Sequence, residues 1–215
     1  LGSPLELADA ICMLWVGAGS GFTKPARPLD PVGVDVFDAQ LDIREYDPVY
    51  GATVARWVHS PRELFWLAPS TSWPLTGDTV SGWVVKPTDQ ALLLFEAGRE
   101  IPCGYAELNL LRDSTRHLWI GHVVIDPARR GRSLGRRFVG MLAERAFADP
   151  DIERLTMVVF PENTGAVSCY EAVGFRITSR ERHRFGSDKK EHLMLRLELT
   201  RHQADRYTQA LAWAQ

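Results

Sequence analysis

The stretch HVVIDPARRGRSLGRR, running from His122 to Arg137, decides how this chain is read. It gives, in order, an apolar strand end, a turn started by Pro127, a loop of small residues and the beginning of a helix. Backbone N–H groups at a helix start point toward an anion, the helix dipole adds favourable potential, and small residues let oxygen atoms approach the backbone. Arg129, Arg130, Arg132, Arg136 and Arg137 put five guanidinium groups into nine residues at that same end. A helix start does not ordinarily tolerate so much positive charge, so an anionic ligand is expected there, with a solvated basic face as the alternative. No Gly-Lys-Ser/Thr follows, which excludes a Walker-type loop.

Downstream of this loop, Leu134 to Phe147 repeats Leu134, Phe138, Leu142 and Ala146 at helical spacing, an amphipathic helix. Leu155 to Phe160 is an uninterrupted apolar strand, Thr164 to Ala172 a short helix entered at Asn163 and left near Gly174, and Phe175 to Arg182 with His192 to Leu199 a final strand pair. Upstream, Ala91 to Ala97, Ile101 to Leu111 and Leu118 to Asp126 are separated by turns and predict a three-stranded antiparallel meander. Leu41 to Tyr46 alternates like a strand, Ala52 to Val58 and Pro61 to Leu67 read as short helices, and residues 76–90 read as a surface loop. Trp57, Phe65, Trp66, Trp73 and Trp83 are read as packing groups rather than a ligand cage. The expected fold is α/β (α+β): a mixed, mostly antiparallel sheet of about seven strands flanked by helices. Residues 1–40, broken by Pro25, Pro28 and Pro31, read as an arm or linker, 41–199 as the domain and 200–215 as a helical tail. The tail helix, Arg201 to Trp213, sets Ala204, Tyr207, Leu211 and Ala214 on one stripe, which docks on its own domain or pairs with a second copy as a homodimer.

The loop at Arg130 to Gly135 resembles motif A of the GNAT superfamily, the acyl-CoA-dependent N-acyltransferases. The family pattern, Gln/Arg-x-x-Gly-x-Gly/Ala, falls on Arg130, Gly131, Arg132, Ser133, Leu134 and Gly135, with Ser133 in place of the middle glycine. A serine able to adopt helical angles is a mild departure. PENTGAVSCYEAVGF, ending at Phe175, resembles motif B of the same family. The resemblance implies acetyl-CoA as acyl donor and an N-acetyltransferase acting on the primary amine of a small molecule by direct attack in a ternary complex. Protein or peptide amines, and a sensor that binds acyl-CoA without turnover, are the alternatives. It also implies cofactor contacts from Val123, Val124, Ile125, Arg130, Gly131, Arg132, Ser133, Leu134, Gly135, Arg136 and Asn163, with backbone N–H groups around Val123 to Ile125 as oxyanion donors. Tyr170 would be the general acid facing the sulfur.

Acyl transfer to an amine needs the amine neutral, and an alkyl ammonium with a pKa of ~10.4 lies about three units, or roughly 4 kcal/mol, from that state at neutral pH. Some relatives supply a strand-five glutamate as base, but the matching position here is Val158. Glu107 and His122 are the remaining catalytic candidates. If the meander turns about Ser114, numbers of paired residues sum to about 228, setting Glu107 opposite Gly121 and one register step from His122. Glu107 alternates with Tyr105 and Asn109 on a polar face. Cys169, beside Tyr170, raises an acyl-cysteine route, but no neighbouring histidine is present to activate it.

Composition excludes several other classes. With 215 residues, 45% hydrophobic and 24% charged at a formal net charge of -2, the chain is neither disordered nor a bulk polyanion binder. The arginine cluster has no interleaved aromatics, which argues against nucleic acid. Three cysteines without CxxC spacing suggest neither a disulfide framework nor a metal site. The apolar run Ala10 to Gly21 is too short to span a bilayer and lacks a basic lead. No membrane association and a cytoplasmic location are expected.

Overall fold

The computed structural model describes residues 40–84, 88–111, 114–185 and 190–205. The expected arm, apart from Gln40, and the tail beyond residue 205 lie outside the described residues. Seven strands form one sheet: β1 (Leu41–Glu45), β2 (Gln90–Glu96), β3 (Gly104–Leu110), β4 (His117–Ile125), β5 (Arg154–Val159), β6 (Arg176–His183) and β7 (His192–Thr200). Their order is β1-β2-β3-β4-β5-β7-β6. Every neighbouring pair is antiparallel except β4 with β5. A parallel pair needs a long crossover, here supplied by α4 (Leu134–Phe147).

The two faces of the sheet have separate cores. On one, Phe138, Val139 and Leu142 of α4 and Tyr170 and Val173 of α5 (Thr164–Val173) pack on Leu92, Leu94, Ile120, Met157 and Leu197. On the other, three short helices, α1 (Gly51–Ala55), α2 (Pro61–Leu67) and α3 (Gly77–Ser81), pack over Leu93, Phe95, Tyr105, Trp119 and Val158. Pairing between β4 and β5 stops at Trp119 and Thr156, yet β4 continues to Ile125 and β5 to Val159. The sheet is therefore split beyond that point, between the arginine-rich loop on one side and the start of α5 on the other.

A second irregularity lies in β4. Leu110 to Glu107 pair with Leu118 to Gly121 at the constant sum of 228, but Tyr105 pairs with Val124, so β4 carries one extra residue. This bulge holds His122 at φ 45. Strict alternation would send His122 to the face of Leu118 and Ile120, away from Glu107. The inserted residue reverses the phase: Trp119 and Val124, an odd and an even position, share one face. It also turns His122 toward Glu107.

Residues 76–90 are not wholly a loop. Thr76 accepts from Thr79 N, starting α3, and Val80 is fully buried beneath it. A single turn with one apolar residue leaves too weak a periodicity to be seen in sequence. The first helix is shorter than expected, closing at Ala55, and β3 begins at Gly104 because Pro102 cannot donate to a ladder. Trp57 and Trp66 are buried as expected of packing groups, whereas Trp73 is exposed and Trp83 and Phe65 are partly buried. Residues 201–205 begin a helix, and Ala204 packs against the α4 side of the core.

Candidate active site

The arginine-rich loop is held from both sides. Asp126 caps a short turn over Pro127–Arg129 by accepting from Ala128 N. Arg129 reaches back 2.6 Å to the buried Glu96 at the end of β2, which Arg99 also approaches at 3.3 Å. The next guanidinium, Arg130, points inward. Its Nε donates to the Ile125 carbonyl at 3.0 Å, and its terminal nitrogens donate to the Trp57 carbonyl at 3.2 Å and, longer, to Glu63 at 3.5 Å. Only 9% of that side chain is exposed. Glu63 also accepts from His59 N at 2.6 Å in front of α2. Arg130 thus fastens the loop to the segment between α1 and α2.

Past Arg130 the backbone is left-handed at Gly131 (φ 76) and again at Ser133 (φ 58). Ser133 therefore does not take helical angles. As N-cap of α4 it makes no side-chain cap bond, and the first turn contains no acidic residue. A left-handed N-cap is what a glycine supplies without strain, which accounts for the glycine of the family pattern at this position. Arg132 and Arg136 lie beside this helix start, Arg136 exposed. The backbone of Leu134 and Gly135 forms its first turn.

Across the split, Asn163 caps α5 through its Oδ1, which accepts from Ala166 N at 3.3 Å. The residue is buried, and its Nδ2 has no hydrogen-bond partner among the described residues. Such an orphaned amide donor is costly unless a ligand accepts from it. A pantetheine-like chain carrying amide carbonyls, with a pyrophosphate at the α4 start, fits this donor set. Tyr170 is fully buried on the α4–α5 face, its ring 6.4 Å from Phe175. It is on the opposite face of the sheet from Glu107 and His122, so the split is the route by which these groups could address one substrate. Burial pushes the Cys169 thiol up to about 12, opposite to what a nucleophilic thiolate requires.

The Glu107 carboxylate is the centre of the other group. Oε1 accepts from Tyr105 Oη at 2.6 Å and meets His122 Nδ1 at 2.9 Å, while Oε2 accepts from Asn109 Nδ2 at 3.1 Å. Burial alone would raise the pKa of this carboxyl, but His122, Tyr105 and Asn109 outweigh it and hold the group below the usual carboxylate range. The same carboxylate, with burial, pushes the Tyr105 phenol well above its ordinary value. An ionised carboxylate can only accept, so His122 Nδ1 donates and the ring's lone pair lies on Nε2. Trp83 stacks on the imidazole with centroids 4.0 Å apart and planes 14° from parallel. Sequence distance hid Trp83 and Glu63 from the motif analysis, since neither has a local signature.

The acetyltransferase (GNAT) family profile matches residues 58–175, more than half of the chain, and the chain belongs to that family. Aminoglycoside N(6')-acetyltransferases type 1 of Klebsiella pneumoniae and Serratia marcescens are 29% identical over 84 residues, covering 34% of this chain and 42% of theirs. The match thus spans less than half the length of these curated relatives. Among solved structures, spermidine N-acetyltransferase from Vibrio cholerae, in complex with CoA and spermine, gives a TM-score of 0.62 at 16% identity over 77% of this chain and 98% of that one. An aminoglycoside acetyltransferase in complex with coenzyme A and kanamycin gives 0.61 at 18% identity over 78% and 98%. These likenesses establish the mixed seven-stranded fold. No helix among the described residues is long and apolar enough to cross a membrane.

Proposed function

We propose that this chain transfers the acetyl group of acetyl-CoA to a primary amine of a small molecule by direct attack in a ternary complex. The observation that carries the reading is the buried Glu107–His122 pair, placed by the β4 bulge beside the split in a sheet of this family. Acetyl-CoA, when bound, supplies a thioester carbonyl. Gly131 to Gly135, with Arg132 and Arg136, would hold its pyrophosphate at the α4 start, and Asn163 Nδ2 would donate to its amide chain.

His122 Nε2 takes the proton of the incoming ammonium, and the resulting imidazolium is stabilised by Glu107 on its other nitrogen. The new bond runs from amine nitrogen to carbonyl carbon, and the bond that breaks is carbon to sulfur. Backbone N–H groups of the Val123–Ile125 segment are the candidates for meeting charge on the carbonyl oxygen. Tyr170 would give its phenolic proton to the departing sulfur and be restored by the second proton shed from the acylated nitrogen, leaving amide, free thiol and one proton on His122. A thiol of pKa ~8.5 needs only modest help. Aminoglycoside and polyamine relatives support an amine acceptor.

The reading is tested by calorimetric titration of acetyl-CoA into the protein and its Arg136→Glu variant, followed by thiol release with amines. Micromolar binding weakened at least tenfold by the reversal, and turnover lost in His122→Gln, are expected. Tight binding without turnover of any amine or peptide would instead favour the sensor. No binding would sink the reading.

A further inference from the structure

We infer that the acceptor is a monoamine carried on an aromatic or other flat apolar body, rather than a polycation. The inference rests on reading Glu107–His122 as the base, because it takes the split beside that pair as the place where the amine enters.

Aromatic rings border the split on both strands. On the β4 side Trp83 lies flat on His122 and 6.0 Å from Tyr105, itself edge-on to Tyr46 at 5.4 Å. On the β5 side Phe65 of α2 stands 5.1 Å from Phe160, immediately past the strand end, 6.1 Å from Phe185 and 4.9 Å from His192. Phe65 and Trp83 are only partly buried, so each still presents ring surface. Two half-covered aromatic groups, one on each side of the split, offer flat apolar surface to a ring.

Among the described residues, the less exposed carboxylates on this face are already committed. Both oxygens of Glu63 are used, by Arg130 and His59 N. Those of Glu107 are taken by Tyr105, His122 and Asn109. Glu181 is held by Arg196 through both oxygens, with Ser179 and His183 adding one bond each. Among the described residues, a second ammonium on the acceptor would find no uncommitted buried carboxylate to pair with here. Asp78, in the first turn of α3, and Glu45, ending β1, are exposed, where an ion pair contributes little. The β6–β7 hairpin that carries Phe185 is basic, with Arg180, Arg182, Arg184 and Lys190 exposed and Glu191 shared by Arg182 and Arg184. A polycation approaching that side is repelled.

The test measures thiol release from acetyl-CoA with 2-phenylethylamine, butylamine, spermidine and kanamycin. In parallel, saturation-transfer NMR follows 2-phenylethylamine binding to the CoA-loaded protein. The expected result is a kcat/KM for 2-phenylethylamine at least about tenfold above that for butylamine and above both polycations. Phe65→Ala should narrow the phenyl-to-butyl ratio. Faster turnover of spermidine or kanamycin would overturn the inference while leaving the base intact. Saturable binding of 2-phenylethylamine without turnover of any amine would support the acceptor class and count against the catalytic reading. Neither binding nor turnover at millimolar amine would overturn the inference.

Discussion

Replacing Glu107 with glutamine removes one charge and keeps the shape. The wild-type carboxylate takes three bonds, from Tyr105, His122 and Asn109, at 2.6, 2.9 and 3.1 Å. A glutamine carbonyl can keep the first two, and its amide can face Asn109 Oδ1, which has no partner among the described residues, if that amide turns over. Folding should therefore cost only about 1–2 kcal/mol, the charge assistance lost from two bonds less the desolvation no longer required. Catalysis should lose more. An imidazolium roughly 4 Å from a carboxylate at an effective dielectric of about 20 is favoured by about 4 kcal/mol, so kcat should fall about 100- to 1000-fold. The assay is thiol release at saturating acetyl-CoA from pH 5 to 9, with melting curves confirming the fold. A folded variant with kcat within threefold of wild type across that range would refute the assignment of this pair as the base.

Other expectations follow from the same geometry. Ser133→Gly removes the left-handed strain at φ 58 and should stabilise the protein by about 0.5–1 kcal/mol in urea titrations, with acetyl-CoA affinity kept or improved; Ser133→Val should do the reverse. Arg130→Ala strands the Ile125 and Trp57 carbonyls and Glu63 and should cost about 2–4 kcal/mol, seen as a lower urea midpoint, with Arg130→Lys recovering only part. The Glu181 carboxyl is brought down to about 2 by its Arg196 bonds, against burial, with help from Ser179 and His183. Glu107 is lowered as well. Their contribution to stability is fully present above the ordinary carboxylate range and is lost as pH falls through the lowered values, so urea midpoints should hold from pH 7 to 5 and decline toward pH 3. Glu181→Gln should flatten that decline.

Much of the fold could be read from periodicity and turn residues. The β3–β4 register follows from the position of one turn, and it placed Glu107 opposite Gly121 as the structure has it. The caps of α5, Asn163 and Gly174, were visible because each has a residue type its backbone angle demands. Less legible was whatever depends on one irregular residue or a distant partner. Simple alternation puts His122 on the wrong face, and only the bulge, adopted by a non-glycine at φ 45, brings it to Glu107. The partners of the Arg130 side chain were hidden for the same reason, since the Trp57 carbonyl it reaches lies 73 residues away. Ser133 looked tolerant of helical angles because the left-handed requirement comes from how the loop joins α4. Trp83 follows a helix too short to have a pattern, so its stacking on the imidazole emerges only from packing.

If the chain moves an acetyl group from acetyl-CoA to an amine with His122 as base, the acetylated amine must form only in the presence of both chain and acetyl-CoA and must depend on that imidazole. Mass spectrometry of an amine mixture incubated with acetyl-CoA and the protein tests it most directly. One acetyl group gained on a primary amine, dependent on both protein and acetyl-CoA and nearly abolished in folded His122→Gln, is the expected result. Acetylation undiminished in His122→Gln, or none although acetyl-CoA binds, would contradict it.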